Sequence, residues 1–306
     1  MTHETSTRRR EILTLAATAA ALMTVPQRGF AQTPTTPNAK FKRGYVDGPF
    51  GQIHYRYVRP GASTLTPLVC LHASPLSGIV YETWIEEMGR DRPAFAPDTP
   101  GYGSSDTPPS PPQIPDFARA IARFLDEMKI ARADVMGYHT GSFTAVDLAK
   151  TYPERVRKVV LISAPIFSET ELASRRPTML RPAPSFEQML ESTLNNVRKN
   201  GKGMFTDVPT DDRYWDISLE RMRHYRTSTW GFAAAFNYNL AEAIAQVKQP
   251  ILVLNPQDDL WEQTPRAKPY LNARSRIHDL PGRTHGMMDS HAPEIAKVVR
   301  GFLDVA

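Results

Sequence analysis

The residue best suited to chemistry in this sequence is a histidine, His139. Residues 133–141 have the pattern of an apolar strand, a tight turn and the start of a helix, as in the Gly-x-Ser-x-Gly nucleophile elbow, with His139 in place of the serine. A neutral imidazole is both a base and a nucleophile, and with an unperturbed pKa of about 6.5 it needs no partner base at pH 7. The pattern therefore predicts acid–base or nucleophilic chemistry at residue 139.

An elbow of this kind exists to present one side chain. It lifts that side chain above the sheet, beside the backbone N–H groups at the start of the following helix. Gly137 and Gly141 keep the turn free of Cβ atoms that would clash. The turn survives a change of its central side chain, so the histidine alters the chemistry and not the fold.

The surrounding sequence alternates between strand and helix patterns. Residues 42–46 and 52–58 predict an antiparallel hairpin around the turn signal Asp47-Gly48-Pro49. Alternation of this kind implies an α/β fold with a mostly parallel sheet and helices on both faces. Further strands are predicted at 67–71, 94–96, 133–137, 156–163, 251–255 and 275–280, and helices at 79–88, 115–128, 140–152 and 292–303.

More than 80 residues between the strand patterns at 163 and 251 contain no strand pattern. A gap this long is more typical of an inserted helical cap than of a loop. We therefore expect a cap at 168–247, inserted between core segments 41–167 and 248–306. Helices are predicted within it at 185–200, 211–227 and 232–247, and some of its many aromatic and Met side chains are expected to line a pocket.

Three further segments carry motif-like patterns: 71–75 (Leu-His-Ala-Ser-Pro), 98–106, and 152–156 leading into 159–163. In this order they resemble three segments of the alpha/beta-hydrolase family: its His-Gly-x-Pro turn, its Asp-x-x-Gly-x-Gly-x-Ser loop and its approach to the sixth strand. Each match is short, but their order and spacing agree, and the resemblance runs from about Lys42 to the C-terminus. It implies an eight-stranded, mostly parallel sheet flanked by helices, with an inserted helical cap.

The resemblance also implies an oxyanion hole and a histidine base. The donors would be the backbone N–H groups of Ser74 and Thr140, placed to bind developing negative charge. The base would be His285, which follows the last strand pattern; His291 is the alternative, although it is better explained as a surface or capping residue. We expect the Thr140 side chain to point away from the substrate.

The family's acid follows its seventh strand, and the spacing here selects Asp258, with the adjacent Asp259 as an alternative. We expect Asp258 to fix the tautomer of His285. Tyr138 and Trp261, beside the elbow and the acidic turn, are expected to contact the substrate. We expect His72 to form hydrogen bonds with the local backbone, and Asp98 and Asp106 to order the loop that contains them.

The histidine at the elbow is longer than a serine. Its ring nitrogen would lie roughly 2 Å farther out than a serine Oγ, which misplaces it for acyl transfer into the same oxyanion hole. We therefore expect His139 to act as a base or to hold a water, and less readily as the acyl acceptor. The expected reaction is hydrolysis of an ester, lactone or activated carbonyl bond in a partly apolar small molecule.

Three other functions stay open from the sequence. A lyase or C–C bond cleaving enzyme could use His139 as general base beside a carbonyl. A metal-dependent enzyme could use His139, His285 and a carboxylate as ligands, although an acid standing behind His285 would not itself be a ligand. A catalytically inactive protein could keep the pocket to bind a small molecule. Because the expected hydrolysis needs neither, we predict no cofactor and no metal.

The N-terminus resembles a twin-arginine export signal. Arg8, Arg9 and Arg10 precede an apolar run from Ile12 to Val25, and the predicted signal covers residues 1–31, followed by a linker at 32–40. This signal predicts a periplasmic or secreted protein, the twin-arginine export machinery as a partner, and no stable membrane association after cleavage.

The charge of the chain argues against nucleic acid as a partner. The formal net charge is +5, but four arginines against two glutamates in the first 31 residues account for +2, which leaves +3. A small-molecule substrate is the expected partner.

Overall fold

The computed structural model describes residues 41–200 and 205–305. The strands in these residues are β1 (Lys42–Gly48), β2 (Gly51–Val58), β3 (Leu68–Leu71), β4 (Ala94–Pro97), β5 (Ala133–Tyr138), β6 (Val156–Ile162), β7 (Ile251–Pro256) and β8 (Arg276–Leu280). Together these eight form one sheet in the order β1-β2-β4-β3-β5-β6-β7-β8. β2 pairs antiparallel with β1 and β4, and the other neighbours pair in parallel. The predicted hairpin and mostly parallel sheet are confirmed.

Ten α-helices lie in the described residues. They are α1 (Glu82–Met88), α2 (Ile114–Glu127), α3 (Thr140–Thr151), α4 (Glu169–Met179), α5 (Phe186–Asn200), α6 (Asp211–Arg223), α7 (Trp230–Phe236), α8 (Leu240–Gln246), α9 (Met287–Ser290) and α10 (Ala292–Leu303). Short 3₁₀ helices occupy Gly78–Tyr81, Pro153–Arg155, Tyr225–Thr227 and Thr264–Tyr270.

The middle of the sheet is covered on both sides. Every residue of β3, β5 and β7 is buried, as expected for parallel strands between two layers of helices. Apolar side chains form one cluster that includes α2 and α3 and another that includes α1 and α10. β5, β6 and β7 are parallel neighbours, so their carboxyl ends meet at one edge of this covered sheet.

The described residues between β6 and β7 contain helices α4 to α8 joined by loops and turns, with two differences from the predicted helices. The helix expected at 232–247 is two helices, because Asn239 caps the second by accepting a hydrogen bond from the Glu242 N–H. Helix α4 was not predicted, although Ser168 and Glu171 form a capping box that the sequence displays. The division of the chain into core and cap segments stays a prediction.

The N-terminal segments lie outside the described residues, so the signal expected at 1–31 and the linker at 32–40 stay predictions. Among residues 41–200 and 205–305, none of the helices has both the length and the apolar character needed to cross a bilayer.

Candidate active site

The elbow forms where β5 passes into α3. His139 has a φ of 50° and a ψ of −114°, an unusual backbone conformation for a residue other than glycine. A Cβ on Gly137 would overlap the Gly141 carbonyl, and a Cβ on Gly141 would overlap the Leu71 carbonyl. The two glycines are therefore required by close packing, and the turn presents the His139 side chain with 17% of its surface exposed.

His139 is held by the acid that follows β7. Its Nε2 atom lies 2.9 Å from Oδ2 of Asp258. The same carboxylate accepts a 2.6 Å hydrogen bond from the Ser163 hydroxyl and a 2.8 Å bond from the Leu260 N–H. Burial disfavours the charge of Asp258, but the hydrogen bonds from His139 and Ser163 outweigh it and lower the pKa of this carboxyl. Asp258 is therefore a buried, ionised acceptor.

This contact assigns the tautomer of His139. A carboxylate accepts only, so His139 Nε2 carries the proton, and the lone pair is on Nδ1. In the described part of the structure, Nδ1 forms no hydrogen bond with the protein. The ring thus has one nitrogen fixed by an acid and the other available to a water or a substrate.

The expected pairing of Asp258 with His285 is wrong. His285 Nε2 lies 2.9 Å from Oδ1 of Asp259, and His285 Nδ1 is bonded to the Tyr138 hydroxyl. The physical reason is the length of the elbow side chain: an imidazole at 139 reaches Asp258 directly and leaves the next carboxylate to His285. Although burial opposes its charge, the hydrogen bond from His285 lowers the pKa of Asp259 to about 2.

The two histidine–aspartate pairs lie side by side. The ring centroids of His139 and His285 are 5.0 Å apart, and the Tyr138 ring lies 4.6 Å from His139 and 5.9 Å from His285. Burial, and then the nearby carboxylates of Asp258 and Asp259, raise the pKa of Tyr138 well above its ordinary value, so its phenol is neutral and donates to His285.

Tyr138 therefore supports His285 instead of offering the free surface expected of a substrate contact. Only 5% of its surface is exposed. Trp261 is half-buried, and its backbone N–H donates to the Asp258 carbonyl over 3.2 Å; its contact with substrate stays a prediction. His291 lies apart at the start of α10, with Nδ1 3.6 Å from Glu294, and does not belong to the cluster.

The two expected oxyanion donors lie next to each other, but one is already bonded. The Ser74 N–H donates a 2.6 Å hydrogen bond to the Thr140 hydroxyl oxygen. The Thr140 side chain thus turns toward the Ser74 loop, which corrects the expectation that it points away. The Thr140 N–H is the first amide of α3 and has no acceptor within its own helix.

The other polar residues of the segments that resemble the family form hydrogen bonds within and between loops, as expected. His72 contacts the Ala73 carbonyl through Nδ1, and its Nε2 accepts from the Thr99 N–H. Asp98 accepts hydrogen bonds from the Ser104 and Gly78 N–H groups. Asp106 accepts from the Gln52 N–H. These contacts order the loops around the site and leave the chemistry to the histidine cluster.

The cluster also has the donor types of a metal site. One ligand atom each from His139, Asp258, Asp259 and His285 lie within 4.8 Å of one another. Two imidazoles and two carboxylates suit zinc or iron. However, the four side chains already satisfy one another as two hydrogen-bonded pairs, so their geometry does not require an ion.

Sequence reasoning missed two members of the site, Ser163 and the Thr140 hydroxyl. Ser163 has a φ of 57° and follows β6, beside β7. The sequence could have indicated Ser163, because it ends a predicted strand, and the carboxyl ends of adjacent parallel strands meet at one edge of the sheet. Nothing in the sequence indicates that the Thr140 hydroxyl would bond to Ser74.

Comparison with known proteins places the chain in a family. The model of the Alpha/beta hydrolase family matches residues 68–298. A poly(3-hydroxyalkanoate) depolymerase from Ectopseudomonas oleovorans is 36% identical over 258 residues, covering 80% of this chain and 87% of that protein. A 2-hydroxymuconate semialdehyde hydrolase from Pseudomonas sp. (strain CF600) is 31% identical over 252 residues, covering 78% and 86%.

Solved structures share the fold. The enol-lactonase from Burkholderia xenovorans LB400 superposes with a TM-score of 0.68 at 20% identity, covering 86% of this chain and all of that one. From the match of the family model and the two sequence relatives, we conclude that the chain belongs to the alpha/beta hydrolase family and is a hydrolase.

Proposed function

We propose that this enzyme hydrolyses an ester, lactone or activated carbonyl bond of a partly apolar small molecule, with His139 as general base. The observation that carries the proposal is the contact of His139 Nε2 with Asp258, which leaves Nδ1 as the proton acceptor. The names of a poly(3-hydroxyalkanoate) depolymerase relative and of an enol-lactonase structural neighbour support an ester or lactone as the bond class.

The proposed reaction begins with a water beside His139. Nδ1 takes a proton from this water as the water oxygen bonds to the carbonyl carbon, and the carbonyl π electrons move to its oxygen. Asp258 stabilises the resulting imidazolium, as the acid does in a serine triad. When the tetrahedral intermediate collapses, the bond to the leaving oxygen breaks and that oxygen takes the proton from Nδ1. An acid and an alcohol are released, and His139 is again neutral.

Negative charge on the intermediate needs donors. We assign this role to the Thr140 N–H, at the start of α3, and to the Thr140 hydroxyl, which accepts from Ser74 and still has its own proton to donate. In this proposal the Ser74 N–H does not contact the substrate but orients the Thr140 hydroxyl by donating a hydrogen bond to it. Both ring nitrogens of His285 are bonded, so we assign His285 a positioning role beside His139 instead of the role of a second base.

The test is the rate of hydrolysis of 4-nitrophenyl esters and lactones by the wild type and by His139→Ala. We expect the variant to lose about 10²- to 10⁴-fold in kcat, the range attributed to a positioned base. His291→Ala, which changes a histidine outside the cluster, serves as the control and should keep full activity. Full activity in His139→Ala would refute the proposed role of this residue.

Two further measurements separate the alternatives. Mass spectrometry during turnover detects an acyl group on His139 if that side chain is the nucleophile, and direct attack by water predicts none. Exchange of hydrogen for deuterium beside the carbonyl in D₂O, without hydrolysis, would indicate the lyase chemistry instead. No turnover of any carbonyl substrate would indicate a binding protein.

We also propose export through the twin-arginine route, from the arginines and the apolar run before residue 31. Replacing Arg8, Arg9 and Arg10 with lysine should retain the enzyme in the cytoplasm, as measured by cell fractionation. Arg28→Lys is the matched control and should not change the distribution. Export of the triple variant at the wild-type level would contradict the proposal.

A further inference from the structure

Two arginines on helix α6 differ in whether their guanidinium groups are paired with carboxylates. Arg213 is fully paired: its guanidinium lies 3.1 Å from both Asp289 oxygens and 2.9 Å from Glu82. Arg221, two turns later, has no hydrogen bond or ion pair through its side chain among the described residues, and its Nε atom is shielded from solvent without a partner. Burial lowers the pKa of the Arg221 guanidinium below its ordinary range. Arg213 joins elements of the fold, whereas Arg221 has no counter-ion within residues 41–200 and 205–305.

The adjacent carboxylate does not neutralise Arg221. Glu220 is directed toward His224, with 3.6 Å between its Oε1 and His224 Nε2. A partly buried charge that lacks a partner destabilises the folded protein, and such groups are typical of binding sites, where the ligand supplies the partner. The position of Arg221 therefore points to an anionic ligand.

Arg221 lines an open cavity of about 870 Å³. Amide and hydroxyl side chains that can donate hydrogen bonds, among them Gln188, Ser192 and Asn195 of α5, line the same cavity, with the apolar Met189 and Phe232. Its wall also includes Pro75, the residue after Ser74. The cavity thus adjoins the loop whose Ser74 N–H donates to the Thr140 hydroxyl.

We infer that this cavity binds a substrate that carries a carboxylate away from its scissile bond, and that Arg221 binds this carboxylate. The inference rests on the proposed function for the reaction and adds the substrate class. A guanidinium binds a carboxylate through two parallel hydrogen bonds. The cavity wall also includes Glu191 and Arg181, whose opposite charges offset each other. With Arg221 the wall carries one net positive charge, which matches a singly charged carboxylate better than a phosphate dianion.

The kinetic test uses two substrates that differ by one methyl group: mono-4-nitrophenyl adipate, with a free carboxylate, and methyl 4-nitrophenyl adipate, in which it is blocked. We expect the wild-type KM for the free carboxylate to be about ten- to a hundred-fold lower, as for a hydrogen bond to a charged group. Arg221→Met should abolish this difference by raising the KM for the free carboxylate to that for the methylated substrate. Arg223→Met, an exposed arginine on the same helix, should preserve it.

Binding is measured separately so that this inference can fail independently of the proposed chemistry. The probes are monomethyl and dimethyl adipate, titrated calorimetrically into His139→Ala, with and without Arg221→Met. Tighter binding of the monomethyl ester, lost with Arg221→Met, supports the inference even if no substrate is turned over. Equal binding of the two esters, or tighter binding of inorganic phosphate than of the monomethyl ester, would overturn it.

Thermal unfolding separates a binding role from a structural role. Removing an unpaired charge should leave the midpoint of Arg221→Met, without ligand, equal to or above that of the wild type. A lower midpoint together with an unchanged preference for the carboxylate would show that Arg221 is structural, and would overturn the inference.

Discussion

The Nε2 atom of His139 lies 2.9 Å from Oδ2 of Asp258, so the elbow residue contacts the acid without an intervening histidine. In a serine triad the nucleophile reaches the acid only through a histidine base. Here the imidazole of His139 occupies the position of the nucleophile. The acid fixes its tautomer directly, as it fixes the tautomer of the base in a serine triad. The second histidine, His285, is left to pair with Asp259.

This pairing predicts that the two acids differ in importance. Asp258→Asn removes the charge that stabilises the His139 imidazolium, and kcat should fall by roughly 10²- to 10⁴-fold with little change in KM. Asp259→Asn removes the hydrogen-bond acceptor of the supporting His285 and only a longer-range charge from His139, and should lower kcat by less than about tenfold. Steady-state kinetics on one ester substrate measures both. A larger loss in Asp259→Asn would identify His285 as the base.

The Thr140 hydroxyl should be required for full activity. Thr140→Val keeps the shape of the side chain but removes both the acceptor for the Ser74 N–H and the proton donated to the substrate oxygen. We expect kcat to fall by about 10- to 100-fold and the free energy of unfolding to fall by about 1 to 3 kcal/mol. Thr140→Ser retains the hydroxyl and is the matched control, expected to stay within a few-fold of wild type. Unchanged kcat in Thr140→Val would show that the backbone donors suffice.

The hydrogen bond between His285 and Asp259 should make stability depend on pH in the acid range. The pKa of Asp259 is lowered to about 2, so its contribution is complete above the ordinary carboxyl pKa of about 4 and is lost as the pH falls toward 2. Urea unfolding of wild type and Asp259→Asn should give a free-energy difference that is constant above about pH 5 and decreases below it. Half of this side chain is exposed, so screening by solvent keeps the difference small.

Asp47→Asn, an exposed aspartate at the β1–β2 hairpin, is the control for the acid titration. The difference in the free energy of unfolding between Asp47→Asn and the wild type should change less over the same pH range. A difference for Asp259→Asn that grows as the pH falls would have the wrong sign for a lowered pKa.

Chelation should leave the enzyme active. The two imidazoles and two carboxylates satisfy one another by hydrogen bonds, so removal of divalent ions with EDTA is expected to change neither kcat nor the midpoint of thermal unfolding. Elemental analysis of the purified protein provides the second measurement. Stoichiometric zinc or iron, with activity lost on chelation and restored by that metal, would establish the metal-dependent alternative.

Much of the fold could be predicted from the sequence because its signals are local. The turn residues at 47–49 predict the hairpin, and the apolar runs of β3, β5 and β7 predict central parallel strands. The helix break at Asn239 was not predicted, because residue type alone does not distinguish an asparagine that caps a helix from one on a helix surface. The start of α4, in contrast, has a local signal, because Ser168 and Glu171 have the spacing of a capping box.

The partners within the site could not be predicted, because they depend on side-chain length and direction. Asp258 and Asp259 are adjacent, and one step along the chain turns a carboxylate from a buried position to a half-exposed one, with 1% and 50% of the side chain exposed. The family pattern assumes a short elbow side chain and so assigns the acid to His285. Substituting a longer side chain at 139 changes which histidine reaches which acid.

Both acids follow β7 as consecutive residues, joined by one peptide unit. The Leu260 and Trp261 N–H groups bind the side chain and the carbonyl of Asp258, which fixes the turn from within. A displacement of this turn would move both carboxylates together, so neither imidazole can lose its partner while the other keeps it unchanged. The two histidines therefore share a single mechanical support, and a ligand that shifts the turn would displace the carboxylate partners of both rings at once.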